Sequence, residues 1–135
     1  MMSSLTNRGK LCFIIYQGAL NTTIFLNFLR RLVREARRKL FVIVDNLPVH
    51  RAHQVTAWVH DHADRIKLCC LPSYAPERNP DEFPNNDLKQ AMGRHRTPRD
   101  KAALKSGLTS YMRSLQRCPA TLRTFFQAPT VRCAA

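Results

Sequence analysis

Leu40-Phe41-Val42-Ile43-Val44-Asp45-Asn46 (LFVIVDN, residues 40–46) runs through five apolar residues and stops at an acid. A short, continuous run rich in β-branched and aromatic side chains is the pattern of a parallel strand covered on both faces. Asp45 then sits at the carboxyl end of a strand, where open α/β sheets place their sites. A second such run, Ile66 to Leu71 (IKLCCL), follows a segment that repeats Ala52, Val55, Val59 and Ala63 at helical spacing, with Trp58 as a packing residue. Upstream, Lys10 to Tyr16 (KLCFIIY) reads as a strand, and Gln17-Gly18-Ala19-Leu20 as a turn or the start of another short strand. Phe25, Phe28, Leu29, Leu32, Val33 and Ala36 mark the inner face of a helix capped by Thr22 or Thr23. Strand, helix, strand, helix, strand predicts an α/β layer with right-handed crossovers.

Beyond the second run, LPSYAPERNP (71–80) has proline at 72, 76 and 80. Each ring fixes its own φ and restricts the residue before it, so the loop loses little entropy in holding one shape. Asn79-Pro80-Asp81-Glu82 then reads as a helix start, with Asn79 as cap and the helix running through Leu88, Ala91 and Met92 to Gly93. Pro84 conflicts with that start: inside a helix begun at Pro80 it costs about 3 kcal/mol, and the alternative is a helix beginning at Pro84. Thr97-Pro98-Arg99-Asp100 opens a further helix with Leu104, Leu108, Tyr111, Met112 and Leu115 on one face. After Cys118-Pro119, a short segment buries Leu122, Phe125 and Phe126.

Charge is distributed unevenly along the chain. Residues 41–87 hold seven acids and four bases, whereas 1–40 hold one acid and eight bases and 88–135 one acid and ten bases. An acidic centre suits divalent cations, and basic flanks suit phosphates. The net charge of +13 points to a nucleic acid or an anionic surface as partner. The early apolar stretch, Leu11 to Tyr16, is too short for a signal-peptide core or a membrane span, which predicts a cytoplasmic protein without a membrane partner. Five cysteines without framework spacing read as reduced, mostly buried thiols. The histidines and cysteines lack the paired spacing of a tetrahedral zinc site.

Two stretches carry a resemblance. Val44-Asp45-Asn46-Leu47-Pro48-Val49-His50, and Leu71-Pro72-Ser73-Tyr74-Ala75-Pro76-Glu77-Arg78-Asn79-Pro80-Asp81-Glu82 followed by Asp87-Leu88-Lys89, resemble two signatures of mariner-related bacterial insertion-sequence transposases of the DDE superfamily. The resemblance implies an α/β, ribonuclease H-like mixed sheet flanked by helices. It implies that Asp45 and Glu82 are the second and third catalytic acids and hold Mg2+ or Mn2+. Asn46, His50 and Asn79 match motif positions and either support the acids or serve as turn and cap residues. The implied activity is metal-dependent DNA cleavage at transposon ends and strand transfer to target DNA.

The chain departs from that pattern in two places. No acid precedes Glu35, and against the family pattern this implies a chain without the first catalytic Asp, its opening strand and a helix-turn-helix region. The family's aromatic three residues after the final acid is replaced by Phe83-Pro84-Asn85. The expectation is a truncated catalytic domain over residues 1–117 with a tail at 118–135, inactive alone. Its partners are DNA and either a second copy, an N-terminal half or a full-length transposase. Arg30, Arg34, Arg37, Arg38, Lys89, Arg94 and Arg96 are either DNA contacts or a solvated surface. The rivals are a non-catalytic basic DNA-binding remnant and a basic protein of RNA assemblies.

Overall fold

The chain divides into two units: Met1–Ile15 with Pro80–Ala135, and Tyr16–Asn79. The computed structural model describes residues 1–72, 82–94, 100–129 and 131, with the side chains of Asn85 and Arg94 left aside. Asn79, Thr97 to Arg99 and the prolines at 76 and 80 therefore lie outside the described residues, as does Arg96.

In the unit of residues 16–79, helix α1 (Thr22–Glu35) starts one residue earlier than the threonines suggest. Asn21 is the cap, its side-chain oxygen accepting the Ile24 N–H at 2.9 Å. Phe25, Leu26, Phe28 and Leu29 are buried. The helix ends at Glu35, so Arg37 and Arg38 lie in the connection to the next strand rather than on the helix face. Strands β3 (Leu40–Val44) and β4 (Ile66–Cys70) pair in parallel, Leu40 opposite Ile66 and Val44 opposite Cys70. A parallel pair needs a crossover, supplied by a 3₁₀ turn (Pro48–Arg51) and helix α2 (His53–Asp61). Val55 is fully buried on α2, whereas Ala63 lies beyond its end and is exposed. Trp58 stacks on His62 with ring centroids 4.3 Å apart. The Arg65 guanidinium donates to the carbonyls of Val33 and Ala36, satisfying acceptors that the end of α1 leaves open.

The strand pair is covered on one face only. Val44 and Ile66 are buried, but Phe41 is 67% and Ile43 42% exposed, contrary to the two-sided cover expected of LFVIV. Phe41 and Ile43 share a face opposite to Val44, where Lys39 reaches over the Phe41 ring at 5.9 Å. The thiols also differ from expectation: among the described cysteines only Cys12 is buried, Cys69 is half-buried, and Cys70 and Cys118 are exposed.

In the other unit, β1 (Met2–Leu5) pairs antiparallel with β2 (Leu11–Ile14). The sequence gives β1 little signal because Ser3 and Ser4 break any apolar run. The described strands thus hydrogen-bond as two pairs rather than as one sheet. Helix α3 spans Glu82–Arg94, α4 Lys101–Gln116 and α5 Pro119–Thr124, the last followed by a 3₁₀ turn, Phe125–Gln127. Asp100 caps α4, accepting the Ala103 N–H at 2.7 Å. Leu11, Met112 and Leu122 form the core, with Leu5, Phe13, Tyr111, Leu115 and Phe125 around them. Leu104, expected on the buried face of α4, is 39% exposed, because only the C-terminal half of that helix reaches the core. Phe83 on α3 stacks on Phe125 at 5.9 Å, and Gln116 donates to the Leu11 carbonyl at 2.8 Å. Burial and the nearby Asp87 carboxylate hold the Tyr111 phenol above its ordinary pKa.

The β1–β2 turn depends on Gly9, which has φ +79° and packs against α5: a Cβ there would lie 2.5 Å from the Pro119 carbonyl oxygen. Gly18 has a similar φ of +77° with open space around it. Gly9→Ala should therefore combine backbone strain with a backbone clash and lose roughly 2–4 kcal/mol, against about 1 kcal/mol for Gly18→Ala. Urea unfolding of the two variants checks this; equal losses would contradict it.

Candidate functional site

Asp45 leaves the end of β3 with its side chain 45% exposed, and the chain turns at once toward the 3₁₀ segment. His50, in that segment, is only 6% exposed. Its Nδ1 lies 2.6 Å from the Asp45 carbonyl oxygen and 3.2 Å from Asp45 Oδ1. A carbonyl oxygen can only accept, so Nδ1 carries the proton and donates to both atoms. The imidazole packs against the buried Phe25 ring of α1 with centroids 4.5 Å apart. Helix α1 thus holds the ring, and the ring holds Asp45. His50 touches Asp45 through a contact that the motif itself does not reveal: the ring bonds the main-chain carbonyl as well as the carboxylate. Asn46 is half-buried beside it.

The second motif begins next to the first. Strand pairing continues one step past β4, with the Leu71 N–H donating to the Val44 carbonyl at 2.8 Å. Leu71-Pro72 therefore leaves the sheet beside Asp45. Glu82 belongs to the other unit, where it is half-buried in the first turn of α3. Pro84 falls in that same first turn, whose N–H groups have no intrahelical partner, so the described helix neither carries it in its interior nor begins at it. Lys89 is exposed on α3, and Arg94 ends it.

Among the expected DNA contacts, Arg30 and Arg34 are exposed on α1, and Arg30 bonds Asn27 at 3.1 Å. Arg31 pairs with Glu35 at 3.0 Å, which removes one cation from that face. Arg37 and Arg38 are exposed after the helix.

Among the described residues, no group of three or more His, Cys, Asp and Glu side chains is placed to hold a metal ion. The donor chemistry at Asp45 nevertheless suits a hard cation. One carboxylate oxygen is held by His50, the other remains for a ligand, and the exposure leaves room for the waters that magnesium retains.

The class of the chain is mixed α/β, with a parallel strand pair that carries an acid at its carboxyl end, where open α/β sheets hold their ligands. The family model for DDE superfamily endonucleases matches residues 1–105, and the chain belongs to that family. Its members cleave DNA in transposition and generally use divalent metals. No curated protein and no solved structure matches the chain. No helix among the described residues is long and apolar enough to cross a membrane.

Replacing His50 by Leu keeps bulk against Phe25 but leaves the Asp45 carbonyl without its donor. The expected cost is about 1–3 kcal/mol in urea unfolding, with faster proteolysis near residues 45–47. Unchanged stability and protection would remove His50 as the support of Asp45.

Proposed function

We propose that this chain is the catalytic part of a mariner-related, insertion-sequence-type transposase with a ribonuclease H-like fold, in which Asp45 and Glu82 are the catalytic acids and the ligands of a divalent cation, Mg2+ or Mn2+. The observation that carries the reading is the junction at the end of β3. Asp45 is pinned there by a buried histidine, and the strand that leads into the Glu82 motif is hydrogen-bonded to the adjacent residue. Residues 1–117 form the catalytic region, and 118–135 extend it through Leu122 and Phe126. The separate pairing of the strands among the described residues, together with the lack of any acid before Glu35, supports an incomplete site whose third carboxylate comes from outside these residues.

A divalent cation in such a site polarises a phosphodiester and lowers the pKa of the attacking water or hydroxyl. The chain's own part is to place the ligands. Asp45 presents one carboxylate oxygen while His50 holds the other, Glu82 supplies a second carboxylate, and Asn46 and Asn79 orient the loops that carry them. Arg30, Arg34, Arg37, Arg38, Lys89, Arg94 and Arg96 attract DNA at transposon ends and target. A second copy, or a polypeptide bearing the first acid, completes the enzyme. The second reading, a non-catalytic basic DNA-binding remnant, draws on the missing third acid.

Mn2+ titration of the purified chain separates the readings. Binding that weakens at least about tenfold in both Asp45→Asn and Glu82→Gln supports a shared site. Metal binding indifferent to both changes favours the remnant. With Mg2+ and a transposon-end duplex, the chain alone should give no strand transfer; transfer abolished by Asp45→Ala would show that two carboxylates suffice and overturn the incomplete-site reading.

A further inference from the structure

Helix α4 has two unlike sides. Tyr111, Met112 and Leu115 turn to the core. On the other side Lys105, Ser106, Thr109, Ser110, Arg113 and Arg117 line an open groove of about 530 Å³. No acid occurs in α4 or anywhere after Asp100. Among the described residues, neither the Arg31–Glu35 ion pair nor the His50–Asp45 and His60–Asp61 contacts involve Lys105, Arg113 or Arg117.

At about 1.5 Å per residue, these three cations span about 18 Å along one face, or roughly five base-pair steps at 3.4 Å each. A compact anion needs donors that converge on a point; here they are strung out in a line. Two serine hydroxyls stand between the cations, while the Thr109 hydroxyl is committed to the Lys105 carbonyl at 2.8 Å. Lysine, arginine and serine in a row are the groups that contact sugar–phosphate backbones without reading bases. The face carries no large apolar side chain to enter a lipid surface, which an interfacial helix needs.

We propose that this face of α4 is a sequence-independent contact for the phosphate backbone of duplex DNA, beyond the arginines of α1 and its following loop. The proposal rests on the reading that the chain acts on DNA. It assigns Lys105, Arg113 and Arg117 to the substrate side of the protein and gives the core-facing half of α4 the task of holding them in line.

The test is fluorescence anisotropy of a mixed-sequence 20-base-pair duplex, at about 68 Å well longer than the row of cations, with the full chain over a range of salt. The variant Lys105→Ala/Arg113→Ala/Arg117→Ala should lose at least about tenfold in affinity, and its slope of log K against log salt should be shallower by about 3. A control removing the same charge from exposed bases elsewhere, Arg8→Ala/Arg51→Ala/Lys67→Ala, should lose much less. Arg113→Lys/Arg117→Lys, which keeps the charges, should bind as the unmutated chain does, and circular dichroism verifies that each variant is folded. Equal losses in the α4 variant and the control overturn the proposal, because net charge alone would then account for binding. An α4 variant that binds as tightly as the unmutated chain overturns it directly. Tighter binding of a single-stranded RNA, lost in the α4 variant, overturns DNA as the occupant. Failure of the unmutated chain to bind any duplex instead strikes the DNA reading itself, a different result from failure of the α4 variant alone.

Discussion

Parallel pairing of β3 with β4 is the constraint on which the candidate site rests. Two parallel strands cannot be joined by a tight turn, so the chain must cross over, and the crossover is where Asp45, the 3₁₀ turn and α2 are placed. The same pairing carries Leu71 alongside Val44, so two segments distant in sequence leave the sheet side by side. Arg65 ties the end of α1 to the start of β4, and Phe25 on α1 packs against His50. A chain of contacts thus runs from the buried face of α1 through an imidazole to one carboxylate.

Much of this was legible in the sequence, for identifiable reasons. The apolar periodicity of α1 and α4 and the runs at 40–44 and 66–71 are strong signals, and the structure contains an element at each. Asp45 at a strand end followed from where LFVIV stops. Boundaries were less legible: Asn21 rather than a threonine caps α1, and the helix ends before Arg37 and Arg38 because Ala36 is already extended. The exposure of Phe41, Ile43 and Cys70 was hidden, since a short apolar run does not say how many of its faces find partners. β1 was hidden for the opposite reason, two serines in a four-residue strand that is held by its neighbour and by a core built from the far end of the chain. His50 was picked out by motif, but its bond to a main-chain carbonyl depends on a turn that residue types do not specify.

Charge and packing cooperate on α4. Burial of Met112 fixes the rotation of the helix, and that rotation leaves its cations and hydroxyls on one side. On α1 the same division is weaker, because Glu35 holds Arg31 and the connection to β3 carries the remaining arginines.

Gly9 packed on Pro119, and Leu11 bonded to Gln116 at 105 positions' separation, have a consequence for the order of assembly. The hairpin is synthesised about a hundred residues before the side chains that cover it, an interval of roughly 5 to 20 seconds at ordinary translation rates. The unit Tyr16–Asn79 meanwhile has internal contacts of its own. Closing that intervening loop costs about 4 kcal/mol of chain entropy. The nascent hairpin is therefore the segment that waits with its apolar side bare, and the stretch on which a chaperone has most to gain by holding.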